Sequence, residues 1–158
     1  MTVPQSPDSP RSQRIRLPRV ELHYLGWGEP QNPPIVLVHG GSAHAHWWDH
    51  IAIELAQKYR VIALDLRGHG DSSWPAPPSY EIDDYVADLT AFVVALRLPP
   101  LVLIGHSLGG LIALAYAARH SATLRALIVV DMGPRSRPSR VVATRPASGS
   151  GPSCPLTA

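Results

Sequence analysis

The sequence predicts an α/β protein whose core is a mostly parallel, doubly wound sheet, truncated after the sixth strand. Three observations carry this. From position 35 onward, short continuous apolar runs alternate with segments whose apolar residues recur at helical spacing. The runs are rich in Val, Ile and Leu without polar alternation, as strands covered on both faces require. His39-Gly40-Gly41, the loop Asp65–Ser72, Ser107 and Asp131 all follow such runs. They therefore fall at the carboxyl edge, where open parallel sheets place their ligands.

Taken in order, residues 1–13 are rich in Pro and Ser and read as a disordered lead-in. Ile15–Leu17 and Val20–Leu25 read as two short strands forming a hairpin at the sheet edge, and Pro30–Pro34 is a loop. A strand at 35–38 precedes a helix from about His46 to Lys58, with Trp48, Ile51, Ala52, Leu55 and Tyr59 as its apolar stripe. A strand at 60–65 and a loop through Trp74 to Pro78 lead to a helix from Ile82 to Arg97. There Ile82, Val86, Leu89, Val93 and Leu96 form the stripe, and Asp83 and Asp84 in the first turn suit the helix dipole. A strand at 101–104, a helix from Leu108 to His120 and a strand at 126–131 complete the unit. After Met132-Gly133-Pro134 periodicity is lost, so 135–158 is expected to be disordered, a tail such as a shifted reading frame would produce. The folded unit is then 14–134, and strand 126–131 is left as an exposed edge open to self-association.

At 158 residues the chain can bury one core. Positions 20–134 hold 6 basic and 11 acidic residues, so the basic pI near 9.0 belongs to the two ends. No basic face on a folded unit supports nucleic-acid binding. The single cysteine, Cys154, excludes an intrachain disulfide. There is no apolar leader at the N-terminus and no run long enough to span a bilayer, so a cytoplasmic location without membrane contact is expected.

The richest stretch is Val102–Ile112. An apolar strand enters Gly105-His106-Ser107-Leu108-Gly109-Gly110, and an Ala-rich helical segment leaves it. G-x-S-x-G between a strand and a helix is the layout of a nucleophile elbow, with Ser107 at the apex and small residues where strand and helix converge. A serine hydroxyl needs a base, an orienting carboxylate and two N–H donors for the oxyanion. The N–H of Leu108, at the new helix's start, supplies one donor.

With His39-Gly40-Gly41, Asp65-Leu66-Arg67-Gly68-His69-Gly70-Asp71-Ser72 and Gly105–Gly110 in this order, the chain from about Arg14 to Pro134 resembles the α/β-hydrolase superfamily of serine hydrolases. The resemblance implies that the second oxyanion donor is the N–H of Gly41, with Ser42 as the fallback. It implies that His39 shapes that turn and is not the base. His39 and Trp47 are the residues expected to line the substrate site. The family order is Ser, acid, His, yet the only His after Ser107 is His120, at the far end of the elbow helix. Asp131 stands where a minority of the family keep the acid. His69 is expected to bond backbone, and His106 to face the core side of the elbow. His44, His46 and His50 lack the spacing of a zinc site, so neither metal nor cofactor is expected.

Serine at 107 implies exclusion of epoxide opening and halide displacement, for which relatives use aspartate there. What remains is hydrolysis of an ester, thioester, lactone or amide, C–C hydrolysis of diketones, or peracid-forming haloperoxidase-type activity. The expected function is that of a serine hydrolase, carboxylesterase-like, acting on a small acyl substrate and catalytically incomplete in this chain. The competing reading is a non-catalytic remnant or a protein that binds acyl ligands without turnover.

Overall fold

The computed structural model describes residues 9–131 and the strand Val141–Val142. Seven strands form one sheet: β1 (Arg11–Arg16), β2 (Glu21–Trp27), β3 (Pro34–Val38), β4 (Arg60–Leu64), β5 (Leu101–His106), β6 (Leu124–Val130) and β7 (Val141–Val142). Their spatial order is β1-β2-β4-β3-β5-β6-β7. The four central strands, β4, β3, β5 and β6, run parallel, while β1, β2 and β7 add antiparallel edges.

Both faces of the centre are covered, which is why its strands read as continuous apolar runs. In β3, Val36 and Val38 pack into the core shared with the helices α2 (Ile82–Ala95) and α3 (Leu108–His120). Ile35 and Leu37 point the other way, into a core completed by Ala45, Trp48 and Ala52. The last three belong to a 3₁₀ turn, Ala45–Trp48, and the helix α1 (Asp49–Ala56) that follows it.

The predicted elements are present, and the differences have local causes. β1 begins at Arg11, inside the expected disordered lead-in. Its sequence Arg-Ser-Gln-Arg-Ile-Arg has no buried face to betray it, since it is an exposed edge strand held by pairing with β2. The helix expected from His46 opens instead as a 3₁₀ turn. A turn of three residues advances the phase faster than an α-helix, and Ile51, expected in the buried stripe, is 47% exposed. The stripe of α2 holds at Val86, Leu89 and Val93, but the helix stops at Ala95, and Arg97 adopts φ 50 just past the end. Finally, the expectation of no structure after Pro134 is corrected at two residues: Val141 and Val142 pair antiparallel with Ile128 and Leu127. The outer edge of β6, expected to be bare, is thus covered there. Residues 1–8, 132–140 and 143–158, with Cys154 among them, lie outside the described residues.

Candidate active site at the turn between β5 and α3

β5 ends at His106 and α3 starts at Leu108, leaving one residue to reverse the chain. That residue, Ser107, has φ 51 and ψ −114, a conformation L-residues rarely adopt. Strained backbone of this kind persists only where its surroundings fix it. Here two glycines do so. A Cβ at Gly105 would stand 2.2 Å from the carbonyl oxygen of Gly109, and one at Gly109 would stand 2.3 Å from that of Val38. Strand β5, helix α3 and strand β3 therefore meet backbone to backbone. The N–H of Ser107 donates to the Val130 carbonyl at 2.9 Å, tying the turn to the end of β6 as well.

Leu108 is the first residue of α3, so its N–H has no acceptor within the helix. The loop His39–Gly41 packs against the same turn. A Cβ at Gly40 would lie 3.3 Å from that of Ser107, and one at Gly41 would lie 3.6 Å from Leu108 Cδ2. The orientation of this loop follows from its hydrogen bonds. The Gly40 carbonyl accepts from His39 Nδ1 at 2.7 Å and from the Ala43 N–H at 3.1 Å. In a planar trans peptide the N–H points opposite the C=O, so the Gly41 N–H is turned away from both. The Gly41 carbonyl in turn is held at 2.9 Å by His69 Nε2, which fixes the opposite sense for the N–H of Ser42.

His39 is fully buried, and its Nε2 accepts from the Leu66 N–H at 3.1 Å. Acceptance at Nε2 needs the neutral ring, and burial pushes its pKa down to about 4. The ring is thus a strut of the loop. Direct substrate contact, expected from the sequence, is excluded at His39 because no part of it reaches the surface. His69 bonds the carbonyls of Arg67 and Gly41, a backbone role as expected.

Trp47 is 59% exposed and stacks on the His106 ring at 5.4 Å between centroids and 18° between planes. This corrects His106, expected on the core side: the ring turns outward toward Gly40 and Trp47. Its Nδ1 is buried without a hydrogen-bond partner among the described residues. His120 bonds Thr90 at 3.1 Å at the far end of α3, remote from Ser107 as predicted. No histidine ring is hydrogen-bonded to the Ser107 hydroxyl among the described residues. Asp131, exposed and at φ 44, directly follows the carbonyl that receives the Ser107 N–H.

Sequence reasoning placed Asp65 in the loop at the carboxyl edge but gave it no role of its own. Buried at the end of β4, it accepts from the N–H of Ala45 at 2.6 Å, from the N–H of Asp71 at 3.0 Å and from His23 Nδ1 at 2.7 Å. Burial alone would raise its pKa, but those two backbone donors and His23 hold it below the usual carboxylate value. Through Ala45 it sets the 3₁₀ turn and hence Trp47. A polar residue ending an apolar strand and followed by Gly-x-Gly was the available signal. Arg67 anchors the same loop to α2 by a two-pronged bond to Asp88, at 2.6 and 2.7 Å.

A family model described as the alpha/beta hydrolase fold matches residues 33–147. This chain belongs to the alpha/beta hydrolase fold family. Among its relatives, epoxide hydrolase 4 of Mus musculus is 38% identical over 119 residues, 75% of this chain and 33% of that protein. A non-heme chloroperoxidase of Streptomyces lividans is 41% identical over 99 residues, 62% of this chain and 36% of that one. The crystal structure of a bacterial membrane phospholipase A superposes with a TM-score of 0.77 at 33% identity, covering 85% of this chain and 43% of that chain. This alpha/beta hydrolase chain thus spans less than half the length of each. Among its described residues, no helix is long and apolar enough to cross a membrane.

Proposed function

We propose that this chain carries the nucleophile and oxyanion half of a serine hydrolase site for a small ester or related acyl substrate. The observation that carries the reading is Ser107 itself. It is a half-buried serine at φ 51 on a strand-to-helix turn, with the free N–H of Leu108 on one side and the oriented Gly41 loop packed on the other. Ser107 Oγ attacks the acyl carbon, and the carbonyl oxygen becomes an oxyanion between the N–H groups of Leu108 and Gly41, with Ser42 next in line. Preorganised donors of this kind lower the barrier by stabilising charge that exists only in the transition state. The Trp47 face over His106 supplies an apolar wall for the acyl or leaving group. Asp131 is the candidate orienting carboxylate.

The likeness to a protein named epoxide hydrolase does not bring that reaction here. A carboxylate that opens an epoxide yields an ester that water can cleave, whereas a serine would yield an ether that it cannot. Acyl transfer is the chemistry that suits a hydroxyl.

Because no histidine engages Ser107 among the described residues, a second reading is specific: acyl ligands bind and acylate Ser107 without rapid turnover. Both are tested by treating the purified chain with a fluorophosphonate and a nitrophenyl ester, beside Ser107→Ala. Covalent labelling at Ser107 with slow ester turnover supports the acylation half alone. Sustained Ser107-dependent turnover supports the complete hydrolase. Absence of any label at Ser107 in folded protein overturns both.

A further inference from the structure

A second serine, histidine and aspartate stand in line at the flank of the sheet's parallel centre, where β1 and β2 meet the end of β4. Ser12 Oγ lies 2.8 Å from His23 Nε2, and His23 Nδ1 lies 2.7 Å from Asp65 Oδ2. His23 and Asp65 are 2% and 3% exposed, whereas Ser12 lies on the exposed edge strand. We propose that Ser12 is a second nucleophilic serine, an acyl-acceptor site driven by the buried His23–Asp65 pair and independent of Ser107.

The proton positions follow from the partners. A carboxylate can only accept, so the N–H of the His23 ring is on Nδ1. Nε2 then offers its lone pair, and among the described residues the donor bonded to it is the Ser12 hydroxyl. Asp65 is held in the charged form by the N–H groups of Ala45 and Asp71 together with His23, against the opposing effect of burial. When Ser12 yields its proton, the imidazolium formed lies between two carboxylates, Asp65 at 2.7 Å and Asp71 at 4.0 Å. A ring with a purely structural role needs only some donor at position 12. Here that donor is a solvent-facing hydroxyl backed by a buried base.

The step is a stoichiometric acylation. Ser12 Oγ bonds to the carbonyl carbon of an activated ester while its proton moves to His23 Nε2. The bond to the leaving phenolate breaks, and the phenolate departs with that proton by way of water. The products are an ester on Ser12 and a free phenol. Arg14, on the same strand face, already bonds the Asp71 carbonyl at 2.6 Å, and among the described residues no N–H group donates to the Ser12 hydroxyl. The acyl donors are therefore small activated esters, and the event is one per chain with no turnover.

The test is an acylation map. Wild type, Ser107→Ala, Ser12→Ala and the double variant are treated with nitrophenyl acetate, and each modified residue is located by peptide mass, with amine acylation mapped separately. In Ser107→Ala, Ser12 is expected to be acetylated about a hundredfold faster than the exposed Ser121 of the same molecules, as general-base assistance provides. The double variant should show no fast serine modification. His23→Gln, with folding checked by circular dichroism, should bring Ser12 down to the rate of Ser121. Ser12 unmodified, or modified no faster than Ser121, in folded Ser107→Ala overturns the proposal. The state of Ser107 in the wild-type map reports separately on the elbow.

Discussion

The backbone N–H of Ser107 donates to the carbonyl of Val130 at 2.9 Å, so the elbow is stitched to the end of β6 by the residue that would bear the nucleophile. Asp131 comes next in the chain at φ 44. The residues that directly follow two neighbouring parallel strands, both in unusual backbone conformations, therefore come together through this bond. The strain at Ser107 has a measurable consequence. Ser107→Gly relieves a positive φ that Ser107→Ala keeps, and should be the more stable variant by about 1 kcal/mol. Urea unfolding of the pair checks this; equal midpoints would mean that the turn is unstrained.

Gly105→Ala should be severely destabilising, by roughly 3 kcal/mol or more, because its new carbon would sit on a carbonyl oxygen that α3 cannot withdraw. Gly41→Ala meets only Leu108 Cδ2 at 3.6 Å, an ordinary contact, and should leave stability almost unchanged. Thermal melts of the two variants provide the comparison.

Stability should depend on pH through His39. Its folded pKa of about 4 lies below the ordinary 6.5, so between those values the unfolded chain binds a proton that the folded one refuses. The His39 contribution is complete above about 6.5 and is lost progressively as the pH falls to about 4, by an amount on the order of 3 kcal/mol. Asp65, held below its usual value, adds its loss only at pH below about 3.8. Urea unfolding at pH 7, 5.5 and 4.5 tests the His39 window. In His39→Gln the slope across it should flatten, and an unchanged slope would assign the effect elsewhere.

Asp88→Ala should cost about 3 kcal/mol, since it removes the two-pronged partner of the buried Arg67 guanidinium and leaves only the more distant Asp84 carboxylate at 3.6 Å. Denaturant titration gives the figure. Trp47→Ala should behave oppositely. Its indole is 59% exposed, so stability should shift by less than about 1 kcal/mol, while the rate of fluorophosphonate labelling at Ser107 should fall several-fold.

Much of this molecule is legible in the chain itself. The central strands announce themselves because both faces are buried, and the elbow because Gly105 and Gly109 have no freedom to be anything larger. Ser107 could be named for the same reason, since it sits between those glycines at φ 51, whereas Gly41 was named only through the family resemblance. What stayed hidden depends on tertiary contact alone. β1 has no apolar face, and its strand state comes from pairing with β2. The outward turn of His106 is set by Trp47, which a 3₁₀ turn brings over it, and that turn is held by Asp65 from another strand. His39 looked like a site residue because of where it stands in the chain, and only its burial shows that it holds the loop from behind.

The contact of Gly105 with Gly109, and of Gly109 with Val38, leaves no side-chain layer between the sheet and the helix that starts at the elbow. A soft layer can absorb change by repacking, but bare backbone cannot. The coordinates of Ser107 are accordingly inherited from the sheet, whereas Trp47, which stacks on the neighbouring His106, hangs on an exposed turn. Substitution in that turn can reshape the surface beside the serine while the serine stays where it is. The position of the elbow and the surface beside it are, in this chain, separately adjustable.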